Sequence, residues 1–281
     1  VVFMATLSSP IITLPLFLLA LTLSYFVYRL PKQSIPYPFV SWSSLCLPFL
    51  VYLSFPWFLI VGGGPYFEKI RRNFDPFLFT SLTNFAYLAG VLLFLGFFLF
   101  FQKAPLGREI WKWGNKPYLS DLLFGLSTWP LAFLTMSLWT ESIESLMLYV
   151  FPNYVFEQQV AVLYLEHARE NSFAFLLACI LTIVLAPFVE ELLFRGILQN
   201  FCKRYLSCYS ALGVTALFFA SFHYSFAQGL SNLSIVTSLF IFALFLGTIY
   251  EKRGSLLSSI ALHALFNAVS VIYLTFFQEA S

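Results

Sequence analysis

The sequence predicts an all-α, polytopic transmembrane helix bundle of about eight spans, and three observations predict it. Hydrophobic residues make up 60% of the chain and charged residues only 10%, where a soluble domain carries roughly a quarter charged. The apolar residues gather in runs of roughly twenty, the length a helix needs to cross a bilayer core. Turn and charge clusters separate the runs. A globule of 281 residues with this composition could not cover itself with polar side chains, which excludes a soluble enzyme. A net charge of +2 gives no footprint for a phosphate backbone. The expected surroundings are therefore the lipid bilayer, with no nucleic-acid partner.

Eight candidate spans follow in order: 10–29, 39–61, 77–101, 119–140, 172–200, 209–227, 232–250 and 255–277. The first has no positive charge before it, and Arg29 and Lys32 after it. That order predicts a retained helix with its N-terminus outside rather than a signal peptide. The stretch Pro31 to Pro38 separates it from the second span, which a Gly62-Gly63-Gly64-Pro65 turn closes. This Gly run is no phosphate loop, because no Gly-Lys-Ser/Thr follows it. The basic stretch Lys103 to Lys116 closes the third span. Segment 153–171, with Glu157, Glu166 and Glu170, reads as an outer amphipathic helix at the interface. His167 there is expected to be part of a solvated helix face, not a metal ligand. Three regions result: 1–150 with about four spans, an outer linker 151–171, and 172–281.

The charge count agrees with that direction. The inner loops hold Arg29, Lys32, Lys103, Arg108, Lys112, Lys116, Lys203, Arg204, Lys252 and Arg253; the outer loops hold Lys69, Arg71, Arg72 and Arg169. Ten against four follows the positive-inside rule, with Arg195 set aside as intramembrane. The cysteines Cys46, Cys179, Cys202 and Cys208 have no CxxC or Cys/His zinc spacing and read as apolar fillers. Reversible palmitoylation of Cys202 or Cys208 is the alternative.

The informative residues are those that interrupt the last four spans. Glu190, Glu191 and Arg195 lie mid-run, while no Asp, Glu, Lys or Arg occurs from Tyr205 to Tyr250 or from Gly254 to Phe277. Three charges at a helix centre cost on the order of 8–10 kcal/mol before pairing, so they mark a functional site. Glu191 and Arg195 are four residues apart and can pair, whereas Glu190 lies about 100° round the helix and faces something else. His263 and Asn267 share one helix face, and Phe219 and His223 stand in the same relation. Counted at about 1.5 Å per residue from the inner ends of their spans, Glu190, His223, His263 and Asn267 reach a similar depth.

A carboxylate and an imidazole facing one water make a general-base pair, and a second imidazole with an amide can donate to an oxyanion. The inventory fits amide hydrolysis without a covalent intermediate. No Gly-x-Ser-x-Gly element or His-Glu-x-x-His helix occurs, so neither a serine nucleophile nor a metal or other cofactor is expected. Glu and His chains also serve proton-coupled carriers, and that reading stays open at this point.

The residues Glu190-Glu191-x-x-x-Arg195, Phe219-x-x-x-His223 and His263-x-x-x-Asn267 resemble the three motifs of the CPBP intramembrane endopeptidases, the family of the CAAX prenyl proteases and of many bacterial abortive-infection proteins. The resemblance covers about 172–277. It implies a glutamate-type protease in which Glu190 and His223 activate water, His263 and Asn267 form the oxyanion site, and Glu191, Arg195 and Phe219 give structural support. It also implies a membrane-associated protein or peptide substrate and a place in a bacterial cytoplasmic membrane. A non-proteolytic membrane scaffold or immunity protein on the same fold is the alternative.

Overall fold

The computed structural model describes residues 10–29, 38–101 and 106–277. Lys32, Lys103 and most of the stretch Pro31 to Pro38 lie outside the described residues. Of the described residues 85% are helical, and no strand occurs among them. A helix coincides with each predicted span: Pro10–Tyr28, Trp42–Asn73, Pro76–Phe101, Tyr118–Val150, Ser172–Cys202, Cys208–Ser221, Asn232–Arg253 and Leu256–Phe276. Among the described residues, five stretches are long and apolar enough to cross a membrane: Pro76–Phe101, Tyr118–Val150, Ser172–Cys202, Phe226–Arg253 and Leu256–Phe276. The apolar helices Ile12–Ser24 and Cys208–Ser221 are shorter. This is an integral membrane protein of helical-bundle class.

Four local differences from the sequence reading have physical causes. The Gly-Gly-Gly-Pro turn is a kink at Gly64, whose φ of 40° and ψ of −133° suit only glycine; helix continues beyond it to Asn73. There, hydrogen bonds from the Arg71 guanidinium, and then from Arg72, hold the Glu68 carboxyl below the usual carboxylate range. The fourth span runs on to Val150 through Glu141 and Glu144, because Leu146, Met147 and Leu148 are strong helix formers and Glu144 finds a hydrogen bond from Ser234. Segment 153–171 is helical only over Val160–Ala168. Finally, the sixth span stops at Ser221, so His223 lies in the turn just after its helix rather than on it. Asn232 pins the segment that follows, since its side chain accepts from the Ser225 N–H at 3.1 Å and donates to the Ser225 carbonyl at 2.7 Å.

The chain divides into two compact units. The first comprises 1–35, 114–160 and 206–262. Its central pair is Tyr118–Val150 and Asn232–Arg253, flanked by Pro10–Tyr28 and Cys208–Ser221. Hydroxyls join these helices where lipid-like packing gives no hydrophobic drive. Trp139 donates to Thr237 at 2.8 Å, Thr140 and Ser238 hydrogen-bond at 2.6 Å, and Ser142 donates to Thr13 at 3.0 Å. At one end the fully buried Asp121 accepts from Arg253 at 2.8 Å. Gly254 then closes that helix in the left-handed conformation (φ 58°, ψ 40°). The Gly254 carbonyl in turn accepts from the Gly114 N–H at 2.8 Å.

The second unit comprises 36–113, 161–205 and 263–281. Here Trp42–Asn73 and Pro76–Phe101 pack on Ser172–Cys202. Leu165, Ala168, Ala174, Ala178, Val271 and Leu274 form a buried apolar cluster. The Tyr164 hydroxyl donates to Ser81 at 2.7 Å and also meets Asn84. Arg169 caps the last helix through the carbonyls of Leu274 and Thr275. Past the C-terminal end of Ser172–Cys202, the Arg204 guanidinium lies 4.2 Å from the Phe39 ring centroid and donates to the Val40 carbonyl at 2.6 Å. Lys203 sits 5.0 Å over Trp113.

Gly125 fixes how closely two helices of the first unit approach, because a Cβ there would run into the Ser258 carbonyl. Gly125→Ala should cost about 1–3 kcal/mol. Gly96 has open space around its Cβ position, so Gly96→Ala should be neutral or gain up to roughly 1 kcal/mol. Thermal melts of the two variants in one detergent check this, and equal melting temperatures would refute the close-approach account.

Candidate active site

The helix Ser172–Cys202 is not uniformly α. It is α over Ser172–Ile180, widens to π over Leu181–Leu185, returns to α over Ala186–Glu191 and widens again over Leu192–Gln199. Pro187 explains the first widening. It has no N–H to give the carbonyl four residues back, and its ring crowds that turn. The Ala186 N–H therefore reaches to Leu181 instead of Thr182. The Thr182 carbonyl has lost its α partner, and the residue that would serve it in a π turn is Pro187 itself. Asn267 supplies the missing donor, with Nδ2 2.7 Å from that carbonyl. In the second π segment Asn200 plays the same part, donating to the Gly196 carbonyl at 2.8 Å. π turns of this kind recur at functional sites.

Between the two π segments stand the glutamates. Glu191 Oε1 accepts from Arg195 at 2.9 Å, and both side chains have no exposed surface. The same oxygen lies 2.8 Å from Nδ1 of His263. The other ring nitrogen, Nε2, faces Glu190 Oε2 at 3.9 Å. One imidazole is thus addressed on both edges by adjacent glutamates, which the roughly 100° turn between neighbouring residues makes possible. Glu190 keeps 15% of its side chain exposed and His263 only 6%. A carboxylate paired with Arg195 can only accept, so His263 Nδ1 carries a proton. The 3.9 Å separation exceeds a hydrogen bond, and Glu190 and Nε2 can both address a third group placed beside them.

The second unit therefore brings together Glu190, Glu191, Arg195, His263 and Asn267. His223 and Phe219 belong to the first unit. There the His223 ring lies 4.9 Å from the buried Phe219 ring, and its Nδ1 lies 2.9 Å from the Phe219 carbonyl. A carbonyl only accepts, so Nδ1–H donates and a neutral His223 presents Nε2 as a proton acceptor.

Sequence reasoning missed three features: the bond from His263 to Glu191, the capping of Thr182 by Asn267, and Asn200. Pro187 inside an apolar run was the available signal for the second. His167 outside the site is held by Leu163 and stacks on Phe77 at 5.7 Å. Among the described residues no group of three or more His, Cys, Asp or Glu side chains could hold a metal ion.

No curated protein and no solved structure matches the chain. Residues 172–269, the segment that carries Glu190, Glu191, Arg195, Phe219, His223, His263 and Asn267, match the Rce1-like family of type II CAAX prenyl endopeptidases, in agreement with the CPBP resemblance of the three motifs.

Proposed function

We propose that the protein is an intramembrane endopeptidase that hydrolyses a peptide bond of a membrane-associated protein or peptide with a water activated by Glu190. The observation that carries this reading is the His263 imidazole, bonded to Glu191 on one edge and turned toward Glu190 on the other, inside a membrane helix.

Glu190 takes a proton from water as the water oxygen bonds to the substrate carbonyl carbon. The resulting oxyanion receives hydrogen bonds from Nε2 of His263 and from the Asn267 amide. To donate from Nε2 the ring must hold two protons, because Nδ1–H is already given to Glu191. One Asn267 hydrogen is committed to Thr182, and the second remains for the oxyanion. The C–N bond then breaks as Glu190 returns its proton to the leaving amine. Charge balances throughout: two carboxylates offset Arg195 and the His263 imidazolium at the start, and proton uptake by Glu190 offsets the oxyanion. His223 enters as a second base by its motif and its Nε2 lone pair.

The test uses purified protein in liposomes, incubated with a farnesylated CAAX-terminated peptide and with unprenylated membrane-spanning peptides, with and without chelator, and mass spectrometry of the products. Cleavage that disappears in Glu190→Gln supports the reading. Cleavage undiminished in that variant overturns it. Loss of activity on removal of stoichiometric zinc returns the histidines to ligand roles.

Glu190→Gln and Glu191→Gln should separate fold from chemistry. Glu190→Gln should melt like the wild type and lose roughly 100-fold or more in rate. Glu191→Gln should lose about 3–5 kcal/mol, because it leaves a buried Arg195 without its counter-charge. A scaffold protein should tolerate Glu190→Gln in every functional readout.

Asn267→Ala should lower both quantities at once. It orphans the Thr182 carbonyl, at about 1–3 kcal/mol, and removes an oxyanion donor, at roughly 100-fold or more in rate. Melts and turnover on the same preparation check both, and a loss of stability alone would assign Asn267 to the π turn only.

A further inference from the structure

Among the described residues of the second unit, the cation Arg204 stands with no carboxylate within ion-pair distance. It lies two residues beyond the span Ser172–Cys202. Its guanidinium does not cap that helix, whose carbonyls at Phe201 and Cys202 accept the backbone N–H groups of Arg204 and Tyr205. Instead Nη1 donates to the Val40 carbonyl at 2.6 Å. The guanidinium carbon lies 4.2 Å from the ring centroid of Phe39, 5.2 Å from that of Tyr205 and 5.7 Å from that of Phe201. The rings attract the charge but offer no lone pair, so the N–H groups that Val40 does not take keep their capacity to donate.

The surroundings add positive potential. Val40 leads into the helix Trp42–Asn73, whose N-terminal end is positive. That end has a neutral cap, Ser41, and no acidic residue in its first turn. A guanidinium and a helix N-terminus thus meet without an anion from the described residues. The rings around them are turned outward: Phe39 is 66%, Trp42 61% and Tyr205 59% exposed. Trp42 packs edge-on against Phe201 at 4.6 Å and lies 6.4 Å from Tyr205, so the cation and the exposed rings form one continuous patch. Tryptophan and tyrosine collect at the level of the lipid headgroups, and arginine recognises phosphate through paired N–H bonds.

We propose that Arg204, with Phe39, Trp42 and Tyr205, forms a binding site for the phosphate group of an anionic glycerophospholipid at the end of this span. The phosphate takes the Arg204 N–H groups that Val40 leaves, and the exposed rings lie against the glycerol and the upper acyl chains. A free phosphate ester carries the same charged group, but the exposed rings suit a ligand with an apolar tail. The site does not depend on the protease reading.

The experiment is native mass spectrometry of the delipidated full-length protein in a neutral detergent at fixed salt. It is titrated with phosphatidylglycerol, with a diacylglycerol of the same chains, and with glycerol 3-phosphate. Phosphatidylglycerol should bind at least about tenfold tighter than either of the others. Arg204→Gln should weaken its binding roughly tenfold, the loss of a charge-assisted contact, and leave diacylglycerol binding unchanged. Arg204→Lys keeps the charge but not the planar fork and should weaken it several-fold. Arg108 is an exposed cation elsewhere in the same unit, and Arg108→Gln should bind like the wild type. Undiminished binding in folded Arg204→Gln, or in Arg204→Lys where the glutamine variant does not fold, overturns the proposal. So do equal losses in the Arg108 and Arg204 variants, which would mean diffuse attraction to lipid charge. Diacylglycerol binding as tightly as phosphatidylglycerol would leave only an apolar patch, and glycerol 3-phosphate binding as tightly would assign the site to free phosphate esters; either result overturns the lipid site.

Discussion

A fully buried ion pair in the middle of a membrane helix sets the terms for the second unit. Glu191 and Arg195 have no exposed side-chain surface, and their helix contains the window of highest mean hydropathy among the five spans, 2.5. Ions in such a place persist only when paired and hydrogen-bonded. The pair settles Arg195 but leaves Glu190 as an uncompensated negative charge one residue away. His263, on the last helix, is the group that can offset it. It also donates to Glu191, so one imidazole completes the balance of both carboxylates. The last helix is thereby held to the glutamate helix by polar contacts at two heights, His263 and, one turn on, Asn267.

The backbone of the glutamate helix is shaped by a similar constraint. In the hydrocarbon region each freed carbonyl needs a donor from within the protein. Pro187 frees one, and Asn267 serves it; the second π segment is served by Asn200. The widened turns are therefore stable only with these side chains in place. Glu190 and Glu191 sit on the short α stretch between the two π segments, where both ends of their local backbone are held. This links an ordinary helix-breaking residue to the precision with which two carboxylates meet one ring.

Much of this was legible in the sequence, and the rest was hidden for identifiable reasons. Apolar runs located the helices that coincide with the eight predicted spans, since membrane spans must be long and hydrophobic. The Glu191–Arg195 pair followed from i, i+4 spacing. Contacts between helices carry no such local signal. The bond from His263 to Glu191 joins residues 72 apart. The turn that carries His223 leaves no apolar signature, and the two bonds from Asn232 that hold Ser225 beyond it span seven residues.

The two glutamates differ in what is left for them to do. Glu191 Oε1 already receives Arg195 and His263, and the side chain is wholly enclosed. A proton placed on it would sacrifice both bonds and strand a buried guanidinium, so it is poorly suited to a cycle that takes up and returns a proton. Among the described residues Glu190 has no ionic partner within hydrogen-bond distance; it retains some exposure and faces an imidazole across 3.9 Å. Taking up a proton there gives up the 3.9 Å attraction to the His263 imidazolium but leaves the Glu191–Arg195 pair intact. With Glu190 ionised and His263 as imidazolium the cluster of Glu190, Glu191, Arg195 and His263 is neutral; when Glu190 takes the water proton, the positive charge the cluster gains is offset by the oxyanion formed beside it. A site that keeps the same net charge while one proton changes places avoids the desolvation cost that an intramembrane reaction would otherwise meet at each step. That distinction, and not the order of the two residues in the chain, is what makes Glu190 the proposed base and Glu191 its scaffold.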